Sequence, residues 1–204
     1  MERLVLDPGG SWRDVARRAA VVLRAGGIAL LPAEGVYGLH ARSENPEAVE
    51  RLLAMKPREE KKGFIGLIAD PEDLLKWTEP SARALSLARV HWPGALTLVL
   101  RASPSAPPAM RNPDGTIALR CPGSEFLRAT VAGAGGIVLS TSANRPGEPA
   151  MIAVEGSLVT LADLVVDGGT LSGTPSTLVS VVGNRVHVLR QGSVQVASRA
   201  EGGA

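Results

Sequence analysis

Cysteine is nearly absent. Cys121 is the only one in 204 residues, so no internal disulfide framework can form. That fits a reducing compartment, and a cytoplasmic location is expected. Aromatic residues are scarce too, with one tyrosine, two phenylalanines and three tryptophans. So few rings give poor support for base stacking on single-stranded nucleic acid. No apolar run approaches the roughly 20 residues of a membrane span. The start MERLVLDPGG lacks the basic-then-apolar order of a secretory signal, so no membrane association is expected. Charge of one sign is also lacking. The formal net charge is +2, so any basic function must be local.

Several chemical signatures are missing as well. His40, His91 and His187 are scattered and show no zinc spacing. There is no G-x-x-x-x-G-K-[ST] phosphate loop and no G-x-S-x-G elbow. GAGG, residues 133–136, precedes an apolar run where a dinucleotide fingerprint would follow one. No nucleophile and no metal ligand is therefore assigned.

What is present suffices for one folded domain over 1–204, with flexible ends at 1–10 and 198–204. The hydrophobic fraction is 45%, within the globular range. SWRDVARRAAVVLRAGG reads as a helix, with Ser11 as N-cap, Asp14 completing a capping box, and Gly26-Gly27 as stop. NPEAVERLLAMK reads as a second helix, capped by Asn45 with Pro46 in its first turn. DPEDLLKW repeats that start, and SARALSLARV and GSEFLRATVAG are helical. IALL, FIGLIA, ALTLVLRA, TIALR, GIVLS and DLVVD read as strands. STLVSVV and RVHVLR flank Gly183-Asn184, a hairpin signal. The fold class is α/β (α+β): a twisted, mixed parallel and antiparallel open sheet flanked by helices.

Four stretches concentrate polar chemistry. Three of the four lysines fall in KPREEKK, residues 56–62. Such a run is ordinarily a solvated loop, but one between a helix and a strand can hold phosphate oxygens. LSTSANRPG carries Ser140, Thr141, Ser142 and Asn144 off a strand end, either as a simple polar turn or as a site for a small polar ligand. Arg120 ends the apolar TIALR, where it needs a fixed partner. That partner is either a structural carboxylate or a ligand's anion. Ser176 opens one arm of the late hairpin and Arg190 closes the other. The eight residues PAEGVYGL, from Pro32 to Leu39, interrupt an apolar run with two glycines and the sole tyrosine, Tyr37.

In order along the chain, PAEGVYGL, Lys56-Pro57-Arg58, HWPGALTLVL, TIALRCP, TSAN, DGG with PSTLVSV, and VLRQG resemble the YrdC-like family of threonylcarbamoyl-AMP synthases. The resemblance runs from Gly26 to about Gly192. It implies a twisted mixed sheet with a concave, basic face. It implies an enzyme, a nucleotidyltransferase that condenses L-threonine, bicarbonate (or CO2) and ATP to threonylcarbamoyl-AMP and pyrophosphate, with Mg2+. A separate threonylcarbamoyl transferase complex would pass the group on to tRNA. Some members bind double-stranded RNA. By similarity Lys56, Arg58, Lys62, Thr116, Asn144 and Arg190 would bind ATP, while Arg120, Ser142, Ser176 and Tyr37 would bind threonine. Catalysis would rest on positioning and electrostatics.

The family usually reads P-T-E-T-V-Y-G-L, and Ala33 and Gly35 stand here in place of both threonines. The second is expected to touch the amino acid. Glu59, Gly63 and Phe64 replace the two prolines and the leucine usual in the basic segment. The alternatives are a paralogue using another amine or carbamoyl donor, or a non-catalytic RNA-binding module.

Overall fold

The computed structural model describes residues 1–7, 10–55, 63–145, 147–183 and 185–196. In chain order the strands are β1 (Glu2–Val5), β2 (Ala29–Pro32), β3 (Tyr37–Arg42), β4 (Ile65–Leu67), β5 (Leu96–Arg101), β6 (Thr116–Arg120), β7 (Val138–Ser142), β8 (Leu164–Asp167), β9 (Thr177–Val182) and β10 (Arg185–Arg190). The helices are α1 (Trp12–Arg24), α2 (Pro46–Ala54), α3 (Leu74–Trp77), α4 (Ala82–His91) and α5 (Glu125–Ala134). The strands form one sheet in the order β1-β8-β2-β3-β7-β4-β6-β5-β9-β10. Parallel pairs (β1/β8, β2/β8, β4/β6, β5/β9) mix with antiparallel ones, as expected for the fold class.

Local chemistry explains most element starts. The Asn45 side chain accepts from Ala48 N at 2.9 Å, with Pro46 in the first turn of α2. Asp70 accepts from Glu72 N over a short 3-10 turn. Ser11 departs from expectation: it makes no side-chain cap, and Asp14 pairs instead with Arg17 one turn on. The amino end also departs. Residues 2–5 are an edge strand rather than a loose end, because pairing with the buried β8 satisfies their backbone. Residues 198–204 and the basic run 56–62 lie outside the described residues.

Two cores lie on opposite sides of the sheet. On one side Leu30, Leu39, Leu98, Leu119 and Val179 pack with α2 and α4 through Ala48, Leu52, Ala84 and Leu87. On the other, Leu31, Leu67, Val138 and Val166 pack under α1 and α5. Those two helices approach closely because their contact is built of small residues: a Cβ on Gly133 would come within 2.8 Å of Ala20 Cβ. α1 and α5 pave only part of their side. Paired strand residues point to the same face, and alternate residues share it. Hence Ser140 and Ser142 of β7, Thr116, Ala118 and Arg120 of β6, Val99 and Arg101 of β5, and Ser180 of β9 share that side beyond the two helices, with Ser140, Thr116, Ala118 and Arg120 buried. Among the described residues no helix is long and apolar enough to cross a membrane.

Candidate functional site

The site begins where the contacts of α1 and α5 stop. Arg120 pairs in register with Leu67, and Leu67 with Val138, both beneath α5. The last residue of β6 is therefore an arginine at the boundary of that helix-covered core, and it is only 4% exposed. Burial pulls its pKa down, and the neighbouring Glu34 carboxylate opposes that pull. Glu34 Oε2 lies 3.2 Å from Arg120 Nη2. Its other oxygen accepts from the backbone N–H of Gly123 and, at 3.4 Å, of Ser124, ahead of α5. There a carboxylate also meets the positive end of the helix. No motif assigned Glu34 a role. Its signal was the need of a buried arginine for an answering carboxylate.

Arg190, at the end of β10, donates to Ser176 O at 3.0 and 3.2 Å and to Ser176 Oγ at 3.3 Å. The Ser176 hydroxyl meets Thr97 Oγ1 at 2.9 Å. The two hairpin arms thus meet as their sequence order implies. Partial burial, then the charge of Arg120, lower the Arg190 pKa. The charge of Arg120 therefore reaches Arg190, and an anion bound beside them would offset it.

His40 on β3 sits beside Ser140 on β7, Nε2 to Oγ 3.2 Å. It is wholly buried, and burial with help from Arg120 pushes its pKa down to about 4. It is therefore neutral in the folded protein at neutral pH, whereas the unfolded chain takes up its proton near pH 6.5. The stability held by neutral His40 is complete above that pH and drains away as pH falls towards 4, by roughly 3 kcal/mol in all. Melting curves of His40→Gln should fall less steeply than wild type between pH 6.5 and 4. Parallel pH dependences would clear His40 of this role.

Other expected site residues are placed differently. Ser142 Oγ donates to Asn144 Oδ1 at 2.6 Å, and Asn144 Nδ2 donates to the carbonyls of Arg145 and Glu148. The TSAN segment is thus a self-bonded turn at the head of β7, bordering a cleft of about 510 Å3 that Met151 and Gly173 also line. The Thr116 hydroxyl donates to Asp114 and accepts from Asn112, which locks the turn before β6. Donation from the Thr116 hydroxyl and backbone N–H holds the Asp114 carboxyl below its usual range. Tyr37 corrects its expectation. It is fully buried, and its hydroxyl donates to Gly169 O at 2.7 Å and accepts from Gly168 N at 2.9 Å. It ties its own hairpin to the DGG turn instead of presenting a face to a ligand. Lys56, Arg58 and Lys62 lie outside the described residues.

PAEGVYGL itself is the tip of the β2/β3 hairpin. Its glycines admit protein, not ligand. Gly35 has φ of +83°, and a Cβ there would overlap the Thr174 carbonyl, whose neighbour Gly173 donates to Gly35 O at 2.8 Å. Loss of the side chain at 35 therefore opens no extra room: residues 172–174 fill it.

The Sua5/YciO/YrdC family model, described as "Telomere recombination", matches residues 21–192. The threonylcarbamoyl-AMP synthase of Nitrosococcus oceani is 37% identical over 140 residues, covering 68% of this chain and 75% of that one. The synthase of that name from Chromobacterium violaceum is 34% identical over 187 residues, 88% of this chain and 93% of that one. Among solved structures, P. abyssi Sua5 complexed with L-threonine superposes with a TM-score of 0.82 at 28% identity, over 94% of this chain and 57% of that longer one. E. coli YciO shares the fold, with a TM-score of 0.84 at 23% identity, over 94% and 96% of the two chains.

Proposed function

We propose, from the premise that the chain belongs to the Sua5/YciO/YrdC family, that it is a cytoplasmic threonylcarbamoyl-AMP synthase. It joins L-threonine, CO2 or bicarbonate, and ATP, and releases pyrophosphate. The observation that carries this reading is Arg120: a buried guanidinium at the end of β6, beside the Glu34 carboxylate and close enough to Arg190 for its charge to be felt there. Relatives named for this activity support it, as does a threonine-bound structural neighbour.

The chemistry needs no enzyme nucleophile. The threonine amine adds to CO2, and the resulting carbamate attacks the α-phosphorus of ATP as pyrophosphate leaves. The protein holds two anions together and offsets the charge that gathers on phosphorus. Arg120 clamps the threonine carboxylate, and Ser142 and Ser176 flank the amino acid. Arg190 closes on the nucleotide, with Asn144 and Thr116 on the same side. Lys56, Arg58 and Lys62 take the triphosphate. Among the described residues no group of three His, Cys, Asp or Glu could cage a metal. Mg2+ would instead ride on the phosphates, as it commonly does, and neutralise them there. The product would pass to a threonylcarbamoyl transferase acting on tRNA.

Purified protein given ATP, L-threonine and bicarbonate should release pyrophosphate only when all three are present, with the adenylate visible by mass spectrometry. Its absence would overturn the reading. Lys56→Ala and Arg58→Ala should each cut ATP use roughly tenfold to hundredfold, the worth of one charge-assisted contact. Near-wild-type rates in both would remove them from the site.

A further inference from the structure

Arg120 and Glu34 are paired but incompletely bonded. Among the described residues Arg120 Nε and Glu34 Oε2 are both shielded from water and both lack a hydrogen-bond partner. The 3.2 Å contact between Oε2 and Arg120 Nη2 brings the charges together without aiming an N–H at the oxygen. Meanwhile Glu34 Oε1 is anchored by the backbone ahead of α5. The carboxylate is held by one oxygen and leaves the other unaligned, next to an unused guanidinium donor. A buried donor and a buried acceptor left unpaired side by side are costly, and native structures seldom keep such atoms without a use.

We infer that Glu34 is a further substrate-contacting residue, receiving the ammonium group of the amino acid whose carboxylate Arg120 holds, and taking its proton. This rests on the function proposed above. The ligand that completes both orphan atoms carries an acceptor and a donor close together, with opposite charges. A bare carboxylate would meet the repulsion of Glu34. A bare amine would meet that of Arg120 and Arg190. An α-amino acid zwitterion satisfies both at once.

The same placement supplies a step the reaction needs. An ammonium nitrogen has no lone pair with which to attack CO2. Glu34 Oε2 accepts one of its protons. The freed lone pair forms the N–C bond, while one C=O electron pair moves onto oxygen. The nitrogen then gives a second proton to water. Ammonium and CO2 become carbamate and two protons, one on Glu34 and one in solvent.

Glu34→Gln keeps the shape but loses the charge and the basicity. Calorimetry on the full chain would compare L-threonine with 3-hydroxybutanoate, the same skeleton without the amine, with ATP binding as the check on folding. The variant should bind threonine roughly tenfold to hundredfold more weakly, and 3-hydroxybutanoate at least as tightly as wild type does, since the repelling charge is gone. Its rate deficit should shrink above about pH 8, where the amine begins to lose its proton unaided. Glu34→Asp should restore part of the rate. A merely structural role would weaken both ligands alike and leave the pH profile in place. That result, or an unchanged preference for threonine in Glu34→Gln, would overturn the assignment. Wild-type protein that binds neither compound would overturn the proposed function as well.

Discussion

Arg120→Ala should lower kcat/KM for threonine by roughly a thousandfold while leaving ATP binding in place. The side chain is 4% exposed, so its hydrogen bonds to a bound carboxylate form away from water. Two charge-assisted bonds at about 2 kcal/mol each give about 4 kcal/mol, or three powers of ten. Lysine should not rescue the loss, because a point charge cannot offer the planar fork of a guanidinium. The effect on folding should be milder than for most buried ion pairs. Removal strands Glu34, but that carboxylate keeps its backbone donors at Gly123 and Ser124. It also removes a charge that, after burial, helps to lower the pKa of both His40 and Arg190. Steady-state kinetics with threonine as the varied substrate would decide the matter. A value within tenfold of wild type would exclude Arg120 as the clamp.

The second large effect runs against sequence intuition. Gly35→Thr restores the residue that the family usually carries, yet it should damage this protein. The backbone at 35 has φ of +83°, and a Cβ would overlap the carbonyl of Thr174. A β-branched residue at that φ is strained by about 1–2 kcal/mol before any clash is counted. Relieving the clash means pushing residues 172–174 away and giving up the 2.8 Å bond from Gly173 N to Gly35 O. A total near 3 kcal/mol corresponds to a drop of roughly 6–12 °C in melting temperature for a chain of this size. Threonine use should fall too, since Glu34 shares the loop. Thermal melts of Gly35→Thr beside Gly35→Ala would test this. A melting temperature equal to wild type would mean that the loop has another conformation open to it.

Much of the sheet could be read from local pattern. RVHVLR and TIALR are the strands β10 and β6 residue for residue, because alternation and β-branching agree there with their surroundings. Tyr37–Arg42 could not be read that way. Gly38, His40 and Arg42 look like loop, yet β3 lies inside the sheet between β2 and β7, and tertiary pairing overrode local preference. At the site, Arg120, Ser176 and Arg190 were legible as polar groups at strand ends. Glu34 was not, since a carboxylate beside a glycine looks like any exposed turn until the fold brings Arg120 to it. Tyr37 misled for the converse reason: a ring with a polar tip suggests a ligand, and here the tip bonds to a main-chain turn.

The uneven paving of the sheet has a consequence for how such a chain can change over time. Leu67 and Val138, beneath α1 and α5, hold the molecule together. Arg120, Ser142, Val99 and Ser180, farther along the same face, stand outside that helix-covered core. Two selective pressures therefore fall on different strips of one surface. Lineages can rewrite the outer strip to take a new substrate while the helix-covered strip goes on supplying a scaffold that folds.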